Sequence, residues 1–196
     1  MLQIYPSLRP VDLDEMYEDL LGCEGSPYVV VNVVTTADGR AAIEGRSSPI
    51  GSETDHRLMR RLRSLVDAVL TGSGTLRQEG VDTGVPESLE AYRARRGLRP
   101  QPLAVVIGGQ QGVRLRGKLQ RLGPESLVLF LPLERAQESA PLAGALYELP
   151  GSRIDVAEAA RILAERHGVR RLLVEGGPSI NGSFLLGGLV DELFWT

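Results

Sequence analysis

Three glycine-rich segments are the places in this chain where a backbone could approach a ligand most closely. Each follows an apolar run, and they read Gly72-Ser73-Gly74-Thr75, Gly108-Gly109 and Glu175-Gly176-Gly177-Pro178. Glycine leaves room for a ligand at the main chain, and successive N–H groups can hold a phosphate. The first segment lacks the Gly-Lys-Ser/Thr of a P-loop, so taken alone it predicts only a tight turn.

The third segment combines two glycines with a helix start. Pro178 suits the first turn of a helix, where its missing N–H is not needed. A helix N-terminus binds anions through its free N–H groups and its dipole, so we favour phosphate binding here. Glu175, at the mouth of the preceding strand, could accept hydrogen bonds from a polar substrate or could be an exposed cap.

Asn32 is the one polar residue in the apolar run 28–35. A buried amide needs hydrogen-bond partners, so Asn32 either bonds the backbone or faces a ligand, and both alternatives stay open. The segment Thr36-Ala37-Asp38-Gly39-Arg40 follows, and Asp-Gly is a general turn signal. A guanidinium can bind phosphate in a bidentate manner. Four arginines crowd one predicted helix: Arg57, Arg60, Arg61 and Arg63. Most of them should be solvated, but one could bind a phosphorylated substrate.

These residues are separated by alternating strand and helix patterns. Continuous apolar runs predict buried strands at 28–35, 66–71, 102–107, 126–131 and 170–174, with a short edge strand at 145–149. Helical spacing and capping residues predict helices at 12–21, 52–65, 156–166 and 179–186, with caps at Asp12, Ser52 and Asp155. The Gly-, Pro- and Arg-rich residues 80–101 predict a loop.

This alternation predicts an α/β fold with a mainly parallel sheet and helices on both faces. In open α/β sheets ligands bind beyond the carboxyl ends of the strands. The three glycine segments all follow strands, so the sequence predicts that they share one edge of the sheet.

Composition limits the possible functions. The chain has 196 residues, a net charge of −3 and 42% hydrophobic residues, which predicts one globular domain and no nucleic-acid partner. Cys23 is the single cysteine, and His56 and His167 are far apart, so no multi-cysteine metal site is expected. No G-x-S-x-G motif supports hydrolase chemistry. The absence of a long apolar run or a leader pattern predicts a cytoplasmic protein.

Taken in order, the motifs resemble the reductase domain of the bacterial bifunctional riboflavin-biosynthesis deaminase–reductase. The resemblance covers about residues 28–193 and depends on order and spacing rather than on one motif. It is carried by Asn32, residues 36–40, Gly45-Arg46-Ser47, Leu62-Arg63, residues 67–75, residues 172–178 and residues 188–193.

The resemblance implies a dihydrofolate reductase-like three-layer sandwich with a mixed, mainly parallel sheet. It also implies an NADPH-dependent reaction that reduces the ribosyl group of a phosphoribosylamino-pyrimidine to a ribityl chain, with hydride attack on C1′ in its imine form. The substrate would be 5-amino-6-(5-phosphoribosylamino)uracil or a 2,5-diamino analogue. A cytoplasmic homodimer without a metal is the expected assembly.

Site residues follow from the same resemblance. Catalytic roles are implied for Asn32, Asp38 and Glu175, and substrate binding for Thr36, Ser47 and Arg63. Cofactor binding is implied for Gly72, Ser73, Gly74, Thr75, Ile107, Gly108, Gly176 and Gly177.

The chain departs from the family pattern in several places. Many bifunctional members have lysine at the position of Asn32. Asparagine at this position resembles the stand-alone and archaeal reductases. Arg77-Gln78-Glu79-Gly80 replaces an Asp-Asp-Pro run that often follows the glycine turn. Gly108-Gly109-Gln110-Gln111 replaces a Thr/Ser-Arg-Gly segment, so a ligand for a 2′-phosphate must come from elsewhere, with Arg114 as one candidate.

The expected organisation is an N-terminal extension, 1–27, with a short helix, followed by a reductase domain, 28–196, that lacks its C-terminal strands. Without a deaminase domain, only the reductase activity is expected. Two alternatives remain open. One is a pterin reductase of the same fold, for which Asp67 is a weak candidate carboxylate, and the other is a non-catalytic nucleotide-binding homologue.

Overall fold

A computed structural model describes residues 2–3, 8–23, 27–44, 49–79, 82–109, 111–115, 117–134 and 144–196. The strands are β1 (Leu2–Gln3), β2 (Arg9–Pro10), β3 (Tyr28–Val33), β4 (Ala68–Gly72), β5 (Leu103–Ile107), β6 (Leu127–Pro132), β7 (Ala145–Leu149), β8 (Arg171–Gly176) and β9 (Glu192–Trp195). The α-helices are α1 (Glu53–Arg63), α2 (Ser73–Glu79), α3 (Glu87–Ala94), α4 (Val156–His167) and α5 (Pro178–Leu186).

Seven strands form one sheet in the order β7-β6-β5-β4-β8-β3-β9, and every pairing within it is parallel. Antiparallel pairing among the described residues occurs only between β1 and β2 and at the isolated Gly109–Gly112 bridge. A parallel sheet brings the carboxyl ends of all its strands to one edge. The predicted α/β fold with a mainly parallel sheet and an edge strand at 145–149 is therefore confirmed, and the antiparallel part of the expected mixed sheet does not occur among the described strands of this sheet.

The strands are apolar throughout because both faces of the sheet are covered. In β3, Val29 and Val31 pack with residues of α4 and α5, whereas Val30 packs on the opposite face against Leu62 and Leu65 at the end of α1. Side chains of a strand alternate between faces, so a strand between two helical layers must be apolar at every position. This arrangement has the helices on both faces that the sequence pattern predicts, and it is the three-layer sandwich that the resemblance implies.

Predicted capping residues set the helix starts. The Ser52 hydroxyl accepts a hydrogen bond from the Asp55 N–H at 3.1 Å, and α1 begins at Glu53, directly after Ser52. Asp155 accepts from Ala157 N–H at 2.9 Å at the start of α4. Each side chain satisfies an N–H group that the helix itself leaves free.

The predicted α-helix over 12–21 is wrong. Two 3-10 turns occupy Leu13–Glu15 and Glu18–Gly22, and Tyr17 between them is left-handed, with φ 64°. Tertiary contacts favour this break. The Tyr17 ring packs edge-to-face on Phe194 at 4.6 Å, and Glu18 accepts a hydrogen bond from Arg61 at 3.1 Å. The Asp12 cap is present, because its side chain accepts from Asp14 N–H.

The predicted loop over 80–101 is also wrong, because α3 lies inside it. Its turn residues lie at the two ends of the segment, and the residues between them form the helix. Arg93 on α3 is fully buried, and its guanidinium donates to the carbonyls of Arg63, Val66 and Arg99 at 2.7–2.9 Å. The Arg63 carbonyl is one that the last turn of α1 leaves free, and Val66 lies in the segment between α1 and β4, so Arg93 ties α3 to the segment in which α1 ends.

The contribution of Arg93 can be measured by replacing it with methionine. Burial lowers the pKa of Arg93 to about 10, so the guanidinium is charged at neutral pH. Arg93→Met leaves three carbonyls without their donor, and we expect the free energy of unfolding to fall by about 3 kcal/mol in urea denaturation. Arg95→Met, at an exposed position beside α3, is the control and should change it by less than about 0.5 kcal/mol. Equal effects of the two changes would contradict this role.

Candidate functional site

A cleft of about 500 Å³ lies at the carboxyl edge of the sheet. It is bounded by the ends of β4 and β5, the first residues of α2 and α5, and the loop that leads into α4. Predicted cofactor residues line it: Gly72, Ser73, Gly74, Thr75, Ile107, Gly108 and Gly177. Gly176 lies directly behind them, and its carbonyl accepts a hydrogen bond from Thr71 Oγ1 at 3.4 Å. The structure therefore brings together segments that are about a hundred residues apart in sequence.

Close packing explains why several of these positions are glycine. A Cβ on Gly72 would lie 3.1 Å from Ile180, and one on Gly177 would lie 2.9 Å from Thr75 Oγ1. At Gly108 a Cβ would lie 2.3 Å from Leu131. These glycines let the turns after β4, β5 and β8 pack against their neighbours.

Gly74 is different, because its neighbours do not require a glycine. The nearest atom to a Cβ built there is Arg77 Nη2 at 3.8 Å, an ordinary contact distance. Gly74 lines the cleft, so the space that its missing side chain leaves open belongs to the cleft. A ligand that approaches the α2 backbone closely would use this space.

The first turn of α5 also opens onto the cleft. Gly177 is the N-cap and makes no side-chain capping bond, and Pro178 occupies the first turn as predicted. Ser179 and Ser183 line the cleft beside it. Pro178 has no N–H group, and the N–H groups of Ile180 and Asn181 donate to the Gly177 carbonyl, so the helix dipole and the Ser179 N–H are what this turn offers an anion.

The charged residues that line the cleft are both cationic. They are Arg77 and Arg153, and no carboxylate occurs among the described lining residues. Arg77 Nη1 donates to Ser73 Oγ and to the Gly112 carbonyl, both at 3.3 Å. Arg153 is exposed, and among the described residues it has no ion pair or hydrogen bond. This charge pattern favours an anionic ligand.

Sequence reasoning missed these lining residues: Arg77, Ser152, Arg153, Ser179 and Ser183. Arg153 follows β7, and loops that follow parallel strands lie at the edge where ligands bind, so the topology rule could have indicated it. Arg114, the cation suggested from the sequence, is exposed and does not line the cleft.

Beside the cleft, Arg63 and Glu175 form a buried ion pair. Arg63 Nε and Nη2 donate to the two Glu175 oxygens, both at 2.6 Å, and the side chains are only 7% and 8% exposed. Arg63 Nη1 donates to the Gly84 carbonyl at 3.0 Å. Burial lowers the pKa of Arg63, but the Glu175 carboxylate outweighs this effect and holds the pKa above its ordinary value. The guanidinium is thus committed to Glu175 rather than free for a phosphate.

Strand alternation sets the direction of Glu175, because Leu173, two residues earlier on β8, packs on the α1 face. A sheet irregularity lies at the same residue. Leu70 of β4 pairs with Val174, but Thr71 pairs with Gly176, so Glu175 is skipped in the β4 register. Here the side chain reaches α1, whose last residue is Arg63.

Asn32 lies next to Glu175 at the end of the neighbouring strand. Val31 pairs with Val174, so the next residues along β3 and β8 are Asn32 and Glu175. Asn32 lies two residues after Val30 and shares its face, which is the face that α1 covers. The amide is half-buried and has no side-chain hydrogen bond among the described residues, which favours the ligand-facing alternative.

The turn after β3 holds Thr36 and Asp38 together. The Thr36 hydroxyl donates to Asp38 Oδ1, Arg40 N–H donates to Thr36 Oγ1 at 3.0 Å, and the Arg40 guanidinium pairs with Asp38 at 3.1 Å. Asp38 is exposed and is held by its own turn. Ser47, the remaining predicted substrate residue, lies outside the described residues.

The carboxylate suggested for a pterin substrate lies away from the cleft. Asp67 precedes β4, at the opposite end of that strand from the cleft, and accepts from the N–H groups of Arg170 and Arg171 at 3.1 and 2.8 Å. It therefore cannot be a carboxylate for a pterin in this cleft. The described residues contain no group of three or more His, Cys, Asp or Glu side chains that could hold a metal. None of their helices is both long enough and apolar enough to cross a bilayer.

Comparison with known proteins supports the family resemblance found in the sequence. Residues 27–196 match the family described as the RibD C-terminal domain. The 2,5-diamino-6-ribosylamino-4(3H)-pyrimidinone 5′-phosphate reductase of Archaeoglobus fulgidus is 33% identical over 85% of this chain and 78% of its own length. The RibD riboflavin biosynthesis protein of Mycobacterium tuberculosis is 31% identical, over 86% of this chain but 41% of its own length.

The fold also matches a solved structure. A pyrimidine reductase-like protein from Corynebacterium diphtheriae superposes with a TM-score of 0.74 at 24% identity, over 86% of this chain and 73% of that protein. This likeness confirms the fold that the sequence resemblance implies.

A double-mutant cycle can measure the ion pair. Arg63→Met and Glu175→Leu each leave one buried charge unpaired, so each should lower the free energy of unfolding by about 3 kcal/mol. The double variant removes both charges, and its loss should fall short of the sum by at least about 2 kcal/mol.

The exposed Arg161–Glu165 pair, with side chains 54% and 57% exposed, is the matched control. Its coupling in the same denaturation experiment should stay below about 1 kcal/mol. Additive losses at Arg63 and Glu175 would show that the pair does not act as a unit.

Proposed function

The chain belongs to the RibD C-terminal domain family, and from this we propose that it is an NADPH-dependent reductase of riboflavin biosynthesis. Its substrate is a phosphorylated ribosylaminopyrimidine whose ribosyl group becomes a ribityl chain. The observation that carries this proposal is the cleft of glycine turns beside a second polar group of residues: Asn32, Arg63 and Glu175. One part suits a dinucleotide, and the other suits a polar substrate.

The cleft fits the nicotinamide cofactor that this family implies. An extended dinucleotide carries a pyrophosphate in its middle. The start of α5 packs against the Gly72–Thr75 turn, and the two border the cleft side by side. The dipole of α5 and the main chain exposed at these glycines favour an anion there. The open space at Gly74 admits a close ligand, and the two lining arginines meet no competing carboxylate. Gly72, Gly74, Thr75 and Gly177 would hold the cofactor.

The reaction adds two hydrogens to the substrate. When bound, NADPH supplies a hydride to C1′ of the opened ribose in its imine form, and a proton from the aqueous surroundings completes the amine at nitrogen. This chain's part is to orient C1′ and to shield it, because proximity and fixed electrostatics supply most of what a protein adds to cofactor chemistry.

Asn32 and Glu175 are the residues best placed to face the substrate. The Asn32 amide has free hydrogen-bonding capacity beside the Glu175 carboxylate, and polar edges of a pyrimidine present matching donors and acceptors. Arg63 acts here as a positioning residue, since it fixes both oxygens of Glu175. Thr36 and Asp38 lie in the turn that follows β3, and the roles of Thr36 and Ser47 with the substrate and of Asp38 in catalysis remain predictions of the resemblance.

The archaeal relatives favour one substrate over the other. Two are named as reductases of a 2,5-diamino-6-ribosylamino-pyrimidinone 5′-phosphate, from Archaeoglobus fulgidus and Methanothermobacter thermautotrophicus, and this chain spans at least three quarters of each. Asn32 is also the residue that the resemblance associates with such reductases. We therefore propose the diamino compound as the substrate, in place of the aminouracil. The homodimer, the cytoplasmic location and the extension at 1–27 remain predictions of the resemblance.

Turnover of defined substrates tests this proposal. The full chain is mixed with NADPH and, in separate reactions, with the diamino pyrimidine, the aminouracil or dihydrofolate. We expect loss of the reduced-nicotinamide absorbance with the diamino compound, and a product that has gained two hydrogens by mass spectrometry.

Gly74→Val fills the open space of the cleft, so this variant should melt like the parent chain yet lose at least about tenfold in kcat/KM.

The remaining outcomes each identify a different protein. Faster turnover of dihydrofolate would indicate the pterin alternative. Binding of the cofactor without turnover of any substrate would indicate a nucleotide-binding homologue without catalysis. Either result would refute the proposed reaction.

A further inference from the structure

We propose that Arg153 binds the 2′-phosphate of the cofactor and is the residue by which this cleft selects NADPH over NADH. The inference rests on the proposed function, because it assigns a part of the same cleft. It supplies a cation to a part of the cleft where the residues directly after β5, Gly108 and Gly109, offer none.

Arg153 is the lining cation that remains available. Its guanidinium is exposed and, within the part of the chain that the structure describes, bonded to no other group. Arg77 lines the same cleft, but its Nη1 already holds Ser73 and the Gly112 carbonyl. Lys118 pairs with Asp82 at 2.7 Å and does not line the cleft. Arginine binds phosphate with two parallel N–H groups, which a solvated and unpaired side chain can supply.

Strand order places Arg153 at the far end of the cleft from the reacting groups. Glu175 and Asn32 lie one residue before the ends of β8 and β3. Gly108 follows β5, and β4 lies between β5 and β8 in the sheet. Neighbouring strands are about 4.8 Å apart, so β8 and β5 are separated by about 10 Å. The loop that carries Arg153 leads from β7, the edge strand on the β5 side, into α4.

This separation orients a dinucleotide. With its nicotinamide beside Glu175 and its pyrophosphate at the start of α5, its adenosine half extends toward Gly108 and the loop before α4. Ile154 and Val156 line that part of the cleft and offer an apolar surface to an adenine ring. The ribose 2′-position then lies next to the loop, where Arg153 can reach its phosphate.

Nucleotide titrations of Arg153→Gln test the assignment. Nicotinamide fluorescence gives the Kd of NADPH and of NADH, and displacement gives the Kd of adenosine 2′,5′-bisphosphate and of AMP. We expect Arg153→Gln to weaken NADPH and the bisphosphate by at least about tenfold, the size of one lost charge-assisted contact. The Kd of NADH and of AMP should stay unchanged. Arg114→Gln, an exposed arginine outside the cleft, is the matched control and should change none of the four.

Two results would overturn the inference, and they can be told apart. If the parent chain binds NADPH, but Arg153→Gln weakens NADPH and NADH equally or weakens neither, Arg153 does not read the 2′-phosphate and the proposed reductase stands. If the parent chain binds neither nucleotide, both the inference and the proposed function fail.

Discussion

The buried pair between Arg63 and Glu175 is the interaction on which the site depends. It joins the last residue of α1 to the end of β8 and places two opposite charges where water is largely excluded. Neither charge would be tolerated there alone. Arg93 of α3 stabilises the same junction, because its guanidinium donates to the carbonyls of Arg63 and Val66. The Arg63 guanidinium in turn donates to the Gly84 carbonyl. The position of Glu175 is thus set by three segments that are distant in sequence.

The parallel sheet converts this local junction into a two-sided site. Because all seven strands run the same way, Asn32, Glu175 and the glycine turns reach one edge. The α1 face holds the polar residues that suit a substrate, and the α4 and α5 face bounds the cleft that suits a dinucleotide. Alternation along β8 separates the two functions, because it directs the Glu175 carboxylate toward α1, while Gly177 two residues later lines the cleft.

Local chemistry explains what could be predicted from the sequence. Buried strands appear as unbroken apolar runs, Ser52 and Asp155 are recognisable caps, and glycines after strands indicate a ligand edge. The interactions that were missed depend on distant partners. Two of the three carbonyls that Arg93 satisfies, those of Arg63 and Val66, lie outside residues 80–101, so that segment alone does not reveal what holds α3 in place. Tyr17 breaks the predicted first helix through contact with Phe194, and the pairing of Arg63 with Glu175 spans more than a hundred residues.

The most direct test of this account is a crystal structure of the chain with NADP⁺. The account predicts the nicotinamide ring beside Glu175 and Asn32, the pyrophosphate against the adjoining Gly72–Thr75 turn and start of α5, and the adenosine at the loop that precedes α4. A dinucleotide bound in the reverse direction, or on another surface, would contradict the assignment of the cleft and the reaction derived from it.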